Sequence, residues 1–166
     1  IAIKDQGSSS SCGGQSGAYF LEIQRRLQNI KEGAVSAKSI YAPIAYKGGG
    51  TTVVALESYV GASGGNLEAS IPSYYVTHEP LSEAMMIEKS WMTDKVLKDA
   101  MTRAGYTPYD IDEDMDDIAM AVQNYGAVIW EIAGQNGNIP NWSSSNPKPP
   151  TKGNTNGIWH HFMTVV

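Results

Sequence analysis

The hydrophobic pattern of this 166-residue chain changes period at Gly126, and that change constrains its fold more than any other feature. Before Gly126, apolar residues recur at three- and four-residue spacing. After it, Ala127-Val-Ile-Trp-Glu-Ile132 and Ile158-Trp-His-His-Phe-Met-Thr-Val-Val166 have strand composition. Helices first and strands last is the order of an α+β fold. Residues 1–166 are therefore expected to form one domain, with a mainly helical half over 1–125 and the start of a β half over 126–166. Two strands make no independent sheet, so further strands are expected downstream.

Ser16, Phe20, Ile23, Leu27 and Ile30 predict an amphipathic helix that follows directly on the run Gly7–Gly14 and ends near Lys31 and Gly33. Glu22, Arg25 and Arg26 read as its solvated face. A short helix over 34–41 has Ser36 as its N-cap, and a third over Thr51–Val60 is closed by Gly61. Residues 62–80 read as irregular. Thr93–Ala104 is expected to bury Val96, Leu97, Ala100 and Met101, and Asp114–Tyr125 to place Met115, Ile118, Val122 and Tyr125 on one face. Residues 134–157 read as a long polar loop.

Composition excludes several classes. At 42% hydrophobic and 17% charged residues the chain is ordinarily globular. A net charge of −5 with only 12 Lys plus Arg argues against nucleic acid as partner. The longest apolar runs, Val53–Leu56 and Ala127–Trp130, fall far short of the ~18 residues that span a bilayer. No membrane partner is expected, and no signal peptide is visible. A lone cysteine excludes an internal disulfide and any multi-Cys metal cluster.

That cysteine, Cys12, stands at the predicted start of the first helix, where the positive end of the helix dipole favours thiolate over thiol. Gly13, Gly14 and Gly17 fall in the same two turns and cost roughly 2–3 kcal/mol of helix propensity. A helix whose first turn must sit beside a bound chain has reason to accept that cost. The alternative is a small residue in a Gly/Ser linker. The partner of a nucleophilic cysteine would be a histidine. His78 reads as a surface residue. His160 and His161 lie on a strand and point to opposite faces, and periodicity does not choose between them.

Five segments resemble papain-like cysteine proteases. Lys4-Asp-Gln-Gly-Ser-Ser-Ser-Ser-Cys12 is similar to the family's N-Q-G-x-C-G-S-C-W, with Gln6 six residues before the nucleophile. Val35–Tyr41 resembles L-S-x-Q-x-L-x, Gly48–Gly50 the G-x-x-G-G turn, Asn124–Ile129 the "yGPV" strand entry, and His161–Val166 the H-A-V-x-x-V strand. Cys12 and His161 are 149 positions apart, close to the family's spacing. Ser9 replaces the first signature cysteine, Gly13 the Trp after the nucleophile, and Ala127 the Pro. Residues 62–110 look more like divergent bacterial or phage members than plant or lysosomal ones. The family's Asn, in N-S-W-G, lies downstream of the His strand, and no residue here matches it.

The resemblance implies a papain-like fold, a helical subdomain followed by an antiparallel β-barrel-like subdomain, incomplete over these residues. It implies an endopeptidase acting on peptide or protein substrates, with catalytic Cys12, His161 and Gln6, and with Gly49, Gly50, Trp159 and His160 bordering the substrate cleft. Cys12 would form a thioester acyl-enzyme while imidazolium at His161 stabilises the thiolate. No cofactor or metal is implied. Asp110, Asp112 and Asp114 match the opening of a calcium loop, but Met115 and Ala121 occupy its Gly and Glu positions. The His160/His161 pair lacks a spaced third ligand for zinc. Two other functions share these residues: a Cys/His hydrolase acting on peptidoglycan, and an inactive protease-like binding or structural module of a larger phage or bacterial protein.

Overall fold

A computed structural model describes residues 4–112, 114–135 and 158–166. Six helices precede two strands among these residues: α1 Cys12–Leu27, α2 Ala37–Ile44, α3 Val53–Ser63, α4 Glu83–Met86, α5 Asp94–Met101, α6 Met115–Tyr125, β1 Val128–Gln135 and β2 Ile158–Val165. Helix α1 is central, packing against α2, α3 and both strands. The main core joins Ala18 and Leu21 of α1, Ile40 and Tyr41 of α2, Leu56 and Val60 of α3, and Phe162 of β2.

The glycines of α1 set this packing. A Cβ at Gly14 would lie 2.6 Å from the Ala37 carbonyl oxygen and 2.6 Å from the Tyr41 Cβ; one at Gly17 would lie 3.1 Å from side-chain atoms of Leu56 and Val60. Missing side chains let α2 and α3 close onto the first two turns of α1, and the burial gained offsets the propensity lost.

Local signals explain most element ends. Ser36 caps α2 by accepting the Ser39 N–H, as expected, and Thr52, Thr93 and Asp114 cap α3, α5 and α6 in the same way. Asp116 and Asp117 then sit in the first turn of α6, where the helix dipole favours acids.

Some expectations need correction. Helix α1 stops at Leu27 rather than near Lys31, because Asn29 turns left-handed at φ 59°. The Asn29 and Ile30 N–H groups donate back to the Arg26 and Arg25 carbonyls, which closes the helix. Helix α3 runs through Gly61, which packs against the Tyr106 carbonyl, and is closed instead by Gly64 at φ 66°. Glu22 is buried, not solvated: it accepts from Lys4 Nζ at 2.7 Å and from the Val35 N–H at 2.7 Å. Met101, Met115 and Tyr125 are exposed because α5 and α6 rest on small contacts at Ala100, Ile118 and Ala121. The one-turn α4 was not foreseen. Strand β1 extends past Ile132 to Gln135, since its pairing with β2 continues to Ile158.

The strands pair antiparallel, with Ile132 opposite His161 and Glu131 opposite Phe162. The sheet is two-stranded and open among the described residues. Phe162 is buried against the helices, and Thr164 Oγ1 donates to the Ser16 carbonyl at 3.0 Å. These two side chains fix β2 against α1. The polar loop, including Trp142, lies outside the described residues apart from Gly134 and Gln135, which belong to β1.

Candidate active site

Cys12 is the first residue of α1. A helix begins with N–H groups that lack intrahelical partners, and here no side chain caps them. Ser11 holds the N-cap position, but its hydroxyl is 2.7 Å from the Ser9 Oγ, and Gln15 Nε2 donates to it at 3.4 Å. The first turn also carries no acid. The positive end of α1 is thus left open at the cysteine.

The loop before Cys12 is tied to itself. Ser9 Oγ donates to the Gln6 carbonyl at 2.8 Å, and Gln6 Nε2 donates to the Ser9 carbonyl at 2.8 Å. Ser9, at the position of the family's first signature cysteine, stabilises this loop by hydrogen bonds. One amide hydrogen of Gln6 is committed to the Ser9 carbonyl.

Cys12, Gln6 and His161 line one cleft of about 470 Å³, together with Gln15, Ser16 and Tyr19 of α1 and Met163 and Thr164 of β2. No hydrogen bond joins the Cys12 sulfur to the His161 ring in this state. Half-burial lowers the His161 pKa from its ordinary value by desolvating the charged ring. A resting imidazolium is therefore disfavoured. This differs from the expected thiolate–imidazolium pair, which needs the histidine pKa raised.

The other expected site residues are placed differently. His160 is exposed and its Nδ1 lies 3.0 Å from Glu131 Oε1, so the ring is held by a diagonal neighbour on β1 and does not line the cleft. Trp159 pairs with Gly134 in the sheet, and its side chain is outside the described set. Gly49 and Gly50 do not line the Cys12–His161 cleft either. They lie beside the loop preceding Cys12, where a Cβ at Gly49 would approach Ser10 Oγ at 3.1 Å. His78 is exposed, as expected. Among the described residues no group of His, Cys, Asp and Glu is arranged to hold a metal ion. Gln15, Ser16 and Tyr19 were missed as cleft residues, although helical spacing from Cys12 (i+3, i+4, i+7) puts all three on its face.

Comparison with solved structures decides the fold. Xylellain, a cysteine protease from Xylella fastidiosa, superposes on 99% of this chain with a TM-score of 0.68 at 18% identity. The chain has the papain-like cysteine protease fold. The cysteine protease and lectin-like domains of Cwp84, a surface layer associated protein of Clostridium difficile, match 92% of the chain with a TM-score of 0.59 at 19% identity. The chain spans 64% of the xylellain chain and 35% of the Cwp84 chain. No protein-family model matches the sequence, and no curated protein matches it.

The first turn of α1 is closely packed at Gly13. A Cβ at Gly13 would lie 2.7 Å from Thr51 Cγ2 and 3.5 Å from Phe162 Cδ2. Where the family motif has Trp after the cysteine and Ala after the histidine, this chain has Gly and Phe, and Phe162 fills space beside the first turn of α1. Gly13→Ala is expected to be destabilising, because overpacking costs about 1–3 kcal/mol and outweighs the ~1 kcal/mol of helix propensity gained. In a Thr51→Ser background, which removes the clashing methyl, the same change should become neutral or stabilising. Urea midpoints of the four proteins in this cycle measure the sign reversal.

Proposed function

We propose that this chain carries the nucleophile and general base of a cysteine endopeptidase. The observation that carries this reading is the open N-terminus of α1: Cys12 sits at an uncapped helix end, in a cleft shared with His161 and Gln6, on a papain-like fold. In this reading His161 is neutral at rest and accepts the Cys12 thiol proton as sulfur attacks the substrate carbonyl. The Cys12 N–H and the second amide hydrogen of Gln6 donate to the developing oxyanion. The imidazolium so formed protonates the leaving amine, leaving a thioester on Cys12. His161 then removes a proton from water, which attacks the thioester; the C–S bond breaks, the acid is released, and the imidazolium returns its proton to the Cys12 sulfur. Gly49 and Gly50, beside Ser10, border the path of an extended peptide.

The functional test exposes the complete polypeptide to an unfolded protein and sequences the new termini by mass spectrometry. Cleavage that Cys12→Ala abolishes is expected. Release of stem peptides from peptidoglycan, with no protein cleaved, would establish the cell-wall hydrolase instead. Equal cleavage by Cys12→Ala would remove the cysteine from the mechanism altogether.

The lowered His161 pKa also has a kinetic consequence. A general base must be neutral, and lowering its pKa keeps it neutral to lower pH. The acid limb of kcat/KM should therefore fall below the ordinary histidine value of ~6.5. A limb at or above that value would mean that the working histidine is not desolvated as in this structure.

A further inference from the structure

Tyr41 is fully buried on α2, directly beneath the first turn of α1, yet its hydroxyl is doubly engaged. It accepts the Gly50 N–H at 2.6 Å and donates to Glu83 Oε1 at 2.8 Å. The other oxygen of that carboxylate, Oε2, accepts the Ser10 N–H at 2.6 Å. One carboxylate on α4 thus joins the loop preceding the nucleophile to the turn carrying Gly49 and Gly50. Gly49 leaves space for it: a Cβ there would lie 2.9 Å from Glu83 Oε1. Both glycines have positive φ, 91° and 81°, so the turn holds a conformation that few other residues adopt and needs an external anchor at a fixed place.

We infer that Glu83, acting with Tyr41, is a positioning residue that locks the Gly49–Gly50 turn against the Cys12 loop and so sets the width of the peptide-binding groove. The inference rests on the peptidase reading of Cys12. The phenol is suited to the task, since burial and the adjacent Glu83 raise its pKa far above the working range and keep it a donor. Neither residue touches the reacting atoms. Their loss should be felt by a ligand that spans the groove, and little by a reagent that meets only the sulfur.

The test compares two alkylation rates at Cys12 in the complete polypeptide: iodoacetamide, which needs only the thiolate, and a peptidyl epoxide, which must also occupy the groove. Glu83→Ala and Tyr41→Phe each remove two hydrogen bonds and are each expected to lower the epoxide rate by at least about tenfold, the effect of a single lost hydrogen bond to a charged or buried group, while the iodoacetamide rate changes by less than about threefold. Tyr41→Phe keeps the core ring and provides the answer if Glu83→Ala folds poorly. An unchanged epoxide-to-iodoacetamide ratio in both variants overturns the positioning role alone. Parallel loss of both rates also overturns it, because it shows a collapsed loop. A wild-type protein with no preference for the epoxide overturns the peptidase reading, and this inference with it.

Discussion

Replacing Cys12 by Ser should reduce peptide hydrolysis by on the order of 10⁴–10⁶, and His161→Ala should do so to a similar degree. The two losses should not add. If His161 serves only to move the Cys12 proton, removing it from a protein that already lacks the thiol takes nothing further away. The double variant should therefore match Cys12→Ser within about tenfold. His160→Ala should leave turnover within about threefold, because its ring is exposed, bonded to Glu131, and outside the cleft. Turnover numbers for the wild type and the four variants, measured on one peptide, separate the two adjacent histidines that strand periodicity cannot tell apart.

The largest effect on stability is expected at the buried pair Lys4–Glu22. Both side chains are over nine-tenths buried, and the ammonium also donates to the Val35 carbonyl at 2.8 Å. Glu22→Gln keeps an acceptor for the Val35 N–H but leaves the Lys4 charge without a counter-charge in the interior. Breaking a buried pair from one side costs about 3–5 kcal/mol, or a fall of about 6–20 °C in Tm for a chain of this length. Adding Lys4→Met removes the stranded charge and should recover most of the loss. Thermal unfolding of the two variants decides the matter. A double variant as unstable as the single one would show that the hydrogen bonds to Val35, rather than the charge balance, hold this corner.

The sequence was most legible where a single local signal decided the structure. The Gly/Ser run could be read as a helix entry because apolar residues resumed at helical spacing immediately behind it. Ser36, with its extended backbone and short hydroxyl, announced the start of α2, and Gly126 announced the end of α6. The change to strand composition at Ala127 placed the sheet last. The papain-like motifs then singled out Cys12, Gln6 and His161, and these three share a cleft.

What escaped reading depends on partners far apart in the chain. Glu22 looked solvated because Arg25 and Arg26 surround it in sequence, whereas its cation lies 18 residues earlier at Lys4. Ile30 fits the period of α1, but Asn29 turns left-handed first, and a period carries no information about a cap. Tyr41 carried no reading of its own, since nothing near it in sequence shows that a carboxylate 42 residues away receives its hydroxyl. His160 fits a groove wall by adjacency, but Glu131 on the neighbouring strand holds it outside. The direction of the His161 pKa shift follows from burial, and burial of a strand residue is set by what packs over it.

Cys12 is expected to form a covalent acyl intermediate with the help of His161. The complete polypeptide, mixed with a peptidyl nitrophenyl ester that deacylates slowly and quenched in acid, should gain one acyl group by intact mass, located on Cys12 by peptide mapping. Cys12→Ser should gain none, and His161→Ala should gain it far more slowly. A wild-type protein whose Cys12 reacts freely with iodoacetamide, yet never carries an acyl group, would contradict the account.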